Sequence, residues 1–427
     1  MLKSFVVCSF LALLVCACAG QGPRPEPPAT PRPEATPAPT IEPTPTESIL
    51  TLNMWLPDWL VPDNSSGARM LAARLSEFAA QHPGVEIRVR AKKDRGPGGL
   101  LDLLRTAGPV APQALPDLIV LSGEDLTAAA RDGAVQPLDA LLSPEADATA
   151  FSFARDAARF EGRRVGLPWI VDFRHAVYRP DQSEAPPADW TDIISSPLRF
   201  HFTFTEGNDV SDFVLADYLQ LSGGLTNADG QPALQVQSLA SLLTRYRDAR
   251  NAGSIDAAAL DWASDDAAWA AFQAGDALTV APASRFLAAQ ADAPNLRYAR
   301  TPAVDGAPSA PLGRSWHIAV VTRDPRRQAL AAELMAYLAQ EDFLADWTQA
   351  QNVIPATTEA LARWDRRDGY AAFARSELSR AISPPPAAAV DEISPRLLQA
   401  IRDVMLGRLT PLAAAQAAAE ATASGEP

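Results

Sequence analysis

From Leu50 onward the chain alternates short apolar runs with segments whose apolar residues share one helical face, and few layer architectures accept that order. Leu50 to Trp55 reads as a strand closed by Pro57, and Arg69 to Gln81 sets Leu71, Leu75, Phe78 and Ala79 on one face before Pro83-Gly84 stops it. Val85 to Val89 alternates apolar and charged residues, Leu100 to Leu104 is a short helix, and Asp117 to Leu121 is a continuous apolar strand that ends at Ser122-Gly123. Strand, helix, strand, helix, strand predicts a mostly parallel sheet with helices on both faces, whose ligands bind at the carboxyl ends of the strands. Trp55, Asp58, Ser122 and Glu124 stand at those ends.

Later segments continue the pattern. Arg164 to Tyr178 is a long extended stretch interrupted by Pro168 and carrying Asp172 in apolar company, as expected of a chain crossing between two lobes. Leu239, Leu242, Leu243 and Tyr246 define a helix closed by Gly253, and Asp265-Asp266 caps a short helix that carries Trp269 and Phe272, followed by a strand from Ala277 to Ala281. After a strand from Leu312 to Thr322, Asp324 is an N-cap and Pro325 the first position of one long helix bearing Leu330, Leu334, Leu338 and Leu344. A helix from Pro395 to Leu406 and an Ala-rich helix from Thr410-Pro411 close the chain.

Composition restricts what this fold can do. Acidic residues exceed basic ones by 51 to 37 and Lys occurs only at Lys3, Lys92 and Lys93, which argues against a nucleic-acid surface. All three cysteines (Cys8, Cys16, Cys18) lie within the first eighteen residues, so disulfides, zinc-thiolate sites and cysteine nucleophiles are excluded from the folded part. Lys3 followed by an apolar run from Phe5 to Val15 reads as a signal peptide over residues 1–17, and the chain is expected to be exported. The run ends in Val15-Cys16-Ala17-Cys18, which resembles a bacterial lipobox and makes Cys18 the expected lipid anchor. Residues 18–48 then form a linker: Gln21 to Glu47 holds ten of the 38 prolines, and at 3.1 Å per residue these 27 residues span up to about 80 Å.

Eight segments in this order resemble the extracellular solute-binding proteins of ABC importers, in the cluster typified by maltodextrin-binding proteins. They include LTLNMW from Leu50, PDLIVLSGEDLTAAARDGAVQPLDALL from Pro116, RRVGLPWIVDFRHAVYRP from Arg163, AWAAFQAGDALTVAP from Ala268 and NVIPAT from Asn352. The resemblance implies an α/β, two-lobe fold of the type II periplasmic-binding-protein kind with three crossover segments. One lobe would comprise residues 49–170 plus 317–352 and the other 173–313 plus 357–420, with crossovers near Ile170 to Phe173, Arg314 to His317 and Ile354 to Thr357.

Sugar sites combine flat aromatic platforms with groups that make bidentate hydrogen bonds. Trp55, Trp59, Trp169 and Trp316 fall at strand ends or crossovers, where each reads as cleft lining or as core packing; Trp55, Trp169 and Trp316 are the candidate platforms, whereas Trp269, Trp347 and Phe272 read as core. Asp172 matches the family's polar position after the Gly-Leu-Pro segment; a salt bridge to Arg174 or Arg314 is the alternative for it. Arg285 and Arg314 are candidates because the family usually has Gly-Pro-Trp after the strand that here reads LTVAPASRF, and often Gly-Trp where this chain has Arg314-Ser315-Trp316. The stacking Trp absent at the first of these positions weakens the neutral-sugar assignment and slightly raises that of an anionic or aminated solute. Glu124 and Asp58 complete the set, and both read equally well as solvated caps. No G-x-S-x-G, H-E-x-x-H, G-x-G-x-x-G or P-loop is present, and the four histidines are dispersed, so neither catalysis, a metal nor a cofactor is expected.

The resulting expectation is a lipid-anchored, monomeric binding protein on the extracytoplasmic face of the cell membrane, delivering a small solute, carbohydrate by preference, to ABC permease subunits. A ligand sensor feeding a membrane receptor and a secreted glycan hydrolase are the other readings.

Overall fold

The computed structural model describes residues 49–424 apart from 63, 223, 305, 308, 309 and 367. The signal peptide, Cys18 and the proline-rich linker lie outside the described residues.

The first strand, Leu50–Pro57, puts Leu52, Met54 and Leu56 into one core with Leu71, Leu75 and Phe78 of the helix Ser66–Gln81. Trp55 points to the opposite layer, among Leu100, Leu104, Ile119 and Leu121. Both faces of the sheet are thus covered, as the strand Leu118–Ser122, buried at every position, requires. The sheet has six strands in the order Ile354–Pro355, Leu167–Asp172, Arg314–Val320, Leu118–Ser122, Leu50–Pro57, Val85–Lys92. The last three are mutually parallel, and Arg314–Val320 runs antiparallel to both its neighbours. A register shift between Trp316 and His317 falls opposite Pro168, which has no N–H to give the ladder.

A second sheet orders Arg297–Ala299, Arg174–Tyr178, Leu278–Pro282 and Phe200–His201. The extended stretch read from the sequence divides at one residue: Leu167–Asp172 belongs to the first sheet, Arg174–Tyr178 to the second, and buried Phe173 stands between them. Phe173 sits in an apolar cluster that contains Leu52, Trp169 and Ile318 of the first sheet together with Val177 and Ala281 of the second. The second sheet has its own core as well, built from Phe200, Phe202, Phe213, Tyr246 and the C-terminal helices.

Two helices differ from the sequence reading. Asp324 caps as expected, accepting from the N–H groups of Arg326 and Arg327, but the helix ends at Leu338, and Leu344 belongs to a separate helix, Glu341–Gln351. The extended backbone of Gln340 (φ −58°, ψ 130°) makes the break, and leucine periodicity carries no trace of it. The penultimate helix spans Ala387–Met405 with Pro395 inside it. Burial of Ala389, Ile393, Leu397 and Ile401 in the second core outweighs the hydrogen bond that Pro395 cannot make.

Candidate functional site

The two sheets meet where the strand ends predicted to bind ligand lie. In register, Trp316 faces Ser122 and Arg314 faces Asp172, while the first strand runs directly into Asp58 and Trp59. Trp59 and Trp316 form an edge-to-face pair with ring centroids 5.1 Å apart. Trp59 is 37% exposed, and its indole N–H donates to Asp94 at 3.1 Å. The indole nitrogen of Trp316 has no partner.

Charged groups fill the rest of this edge. Arg314 donates through Nε to Asp212 at 2.9 Å, through Nη2 to the same carboxylate and through Nη1 to Glu124. Arg174 donates to Asp212 and Asp265 at 2.6 Å each and to Glu206 at 2.7 Å. Arg95 lies 3.4 Å from Glu124. Burial works against ionisation of Asp212, but the charges of Arg314 and Arg174 outweigh it and hold its carboxyl well below the usual range. Burial likewise opposes the charge on Arg314, and Asp212 and Glu124 hold its guanidinium charged nonetheless.

Asp172 makes no direct ion pair with either arginine offered as its partner. It accepts from the Ser284 hydroxyl and from the N–H groups of Phe173 (2.8 Å) and Ser284 (3.3 Å), and burial pushes its carboxyl up. Both guanidinia are drawn to Asp212 instead. Burial also raises Asp94, Glu206 and Asp209.

Of the residues read from the sequence, Glu124, Asp172, Arg314 and Trp316 converge on this edge. Asp58 adjoins it, exposed, as the first residue of the turn Asp58–Leu60; it accepts the Trp59 backbone N–H at 2.9 Å and does not cap, the capping position being Pro57. Arg285 pairs with Asp266 and lies 5.9 Å over the ring of Trp269. Asp265 and Asp266 therefore serve arginines from the first turn of their helix, whose N-cap is Ser264. Two platform assignments are corrected: Trp55 is 5% exposed beneath Lys92, and Trp169 is 0% exposed, stacked on Trp347 at 4.3 Å. Their strands are covered on both faces, so nearness to a strand end did not bring either ring to the surface.

Asp212 and Glu206 escaped the sequence reading, and Arg174 entered it only as an alternative partner for Asp172. Asp212 carried a usable signal, a carboxylate within the apolar run SDFVLADYL, which is the argument that singled out Asp172. Glu206 carried none. Among the described residues no group of three or more His, Cys, Asp or Glu side chains is placed to hold a metal ion, and no helix is long and apolar enough to cross a membrane.

Two α/β lobes joined at a polar, tryptophan-bearing seam define the class of proteins that bind a solute between lobes. The family model described as bacterial extracellular solute-binding protein matches residues 73–372, and the chain belongs to that family. Among solved structures, the cyclic α-maltosyl-1,6-maltose binding protein of Arthrobacter globiformis superposes with a TM-score of 0.70 at 15% identity, over 88% of this chain and 98% of that one. An ABC transporter solute-binding protein of Thermotoga lettingae bound with α-D-tagatose gives 0.68 at 19% identity, over 88% and 99%. The maltose/maltodextrin-binding domain of Bdellovibrio bacteriovorus bound to maltotriose gives 0.64 at 17%, over 88% and 99%. No curated protein matches the chain in sequence.

Proposed function

We propose that this solute-binding protein captures a carbohydrate between its lobes and delivers it to the membrane subunits of an ABC permease, tethered to the membrane through Cys18. Residues 49–170 plus 317–352 would form one lobe and 173–313 plus 357–420 the other. The observation that carries the reading is the Trp59–Trp316 corner beside the hydrogen-bonding groups of Asp94, Glu124 and Arg314, because ring faces next to forked polar groups are what a sugar requires. The sugar-bound state of two of the structural neighbours supports the same reading. Contacts made to both lobes only on closure shift the population toward the closed form, which the permease would recognise. No chemical step is part of this function.

A thermal-shift screen against neutral oligosaccharides, monosaccharides, amino sugars and uronates tests it. A ligand at about 100 times its Kd adds about 2.7 kcal/mol of stability, and Trp316→Ala is expected to abolish the shift. A panel that leaves the melt unmoved, or a shift that survives loss of both Trp59 and Trp316, refutes the assignment. The tether is tested separately: Cys18→Ser is expected to move the protein from the membrane fraction to the medium.

A further inference from the structure

One guanidinium joins two carboxylates that belong to different halves of the fold. Glu124 lies in the first turn of the helix Gly123–Arg131, which packs on the first sheet, and Asp212 opens the helix Asp212–Ser222, buried in the core of the second. Arg314 enters the first sheet at the crossover and donates to both. Each carboxylate is also tied into its own half, Glu124 to Arg95 at 3.4 Å and Asp212 to Arg174 at 2.6 Å.

We propose that Arg314 is an interlobe clamp that draws the halves together in the absence of solute and so sets how far the cleft opens. The inference rests on the two-lobe fold and holds for any solute. Arg314 is 23% exposed and Asp212 5%, so their attraction is less screened than that of a surface pair, and the forked contact to Asp212 fixes orientation as well as distance. A solute can move the open–closed equilibrium only by its differential affinity for the two states. Closure already supplied by the protein's own charges reduces the share the solute must supply, and with it the loss of apparent affinity that a rarely populated competent state imposes.

Hydrogen–deuterium exchange on the full, unliganded chain tests the clamp. Arg314→Gln is expected to speed exchange of the crossover segments 170–174 and 312–316 and of the facing segment 206–214 by about tenfold, the size of one lost charge-assisted hydrogen bond. Raising salt to 1 M, where the Debye length is about 3 Å, should narrow the difference between wild type and variant, the pairs of Arg174 with Asp212 and Glu206 being screened alike in both. Glu124→Gln removes only one end of the clamp, is expected to act in the same segments, and decides the matter should Arg314→Gln loosen the whole fold. Arg88→Gln breaks the exposed pair with Glu86 on the outer strand and should change nothing in these segments. Wild-type exchange in both Arg314→Gln and Glu124→Gln, or uniform acceleration over the whole chain in both, overturns the proposal. Neither outcome touches the sugar screen, which reads solute binding independently.

Discussion

Asp217 should make this protein lose stability as pH rises toward 8, and replacing it with Asn should remove the loss. Its side chain is 0% exposed on the helix Asp212–Ser222. One carboxyl oxygen accepts from the Trp190 indole at 3.2 Å, and the other has no partner. Burial pushes the group up to about 8 from an ordinary 3.8. Between those values the folded chain keeps a proton that the unfolded chain has released, so Asp217's stabilising contribution is complete below pH 4 and is lost as pH rises toward 8.

Two buried histidines act in the opposite direction. Burial lowers His175 to about 4 and His317 to about 3, so both are neutral in the folded chain, and stability falls as pH drops from 6.5 toward those values. The three slopes combine to a maximum near pH 6.5, above which Asp217 alone of the three titrates. At about 1.4 kcal/mol per pH unit, the wild type should lose about 2 kcal/mol between pH 6.5 and 8 through this residue. Asn keeps the shape and cannot ionise. Urea midpoints of wild type and Asp217→Asn, measured in parallel from pH 5 to 9, isolate the effect because most other titrations cancel in the difference. That difference should grow in the variant's favour by about 4 kcal/mol between pH 5 and 8, about half of it above pH 6.5, and then level off; a flat difference refutes the reasoning.

Trp169→Ala should cost about 3–5 kcal/mol in urea unfolding, because it empties the stack against Trp347; an unchanged midpoint would return Trp169 to the list of ligand contacts. Gly313→Ala should cost roughly 1–3 kcal/mol, since a Cβ there lies 2.5 Å from the Phe153 ring, and Phe153→Leu in the same chain should recover part of the loss. Strict additivity of that pair in a double-mutant cycle would mean the ring is not what the added methyl meets.

The readings that hold are those set by local chemistry. Asp324-Pro325 starts its helix as read, because the carboxylate and the fixed φ act on the adjoining backbone. The Leu118–Ser122 strand was legible because an apolar run bounded by turn residues has few other uses. Ser65, which caps the Ser66–Gln81 helix by accepting from Ala68, lies well before the first apolar position, so the periodicity placed the start late. Trp55 and Trp169 failed as platforms for a different reason. A position along a strand gives distance from its end but not what the neighbouring helix covers, and both rings are overlaid from outside the strand. The pairing of Arg314 with Asp212 joins residues 102 apart in sequence, and nothing in either neighbourhood names the other. Asp172 shows the same limit: its apolar setting marked it as needing a partner, and the partner proved to be a hydroxyl and two amides 1 to 112 residues away.

Phe173 as the single residue between two strands has a mechanical consequence. An elbow only one residue long leaves few torsions in which rotation between the halves can reside, and the packed ring forbids the halves from simply pulling apart at the pivot. Any rotation of the halves that pivots beside Phe173 would therefore be levered, a small twist there becoming a larger sweep at the rim. Substitutions that loosen the packing around that ring should blur the stroke without altering a single group that touches the cargo.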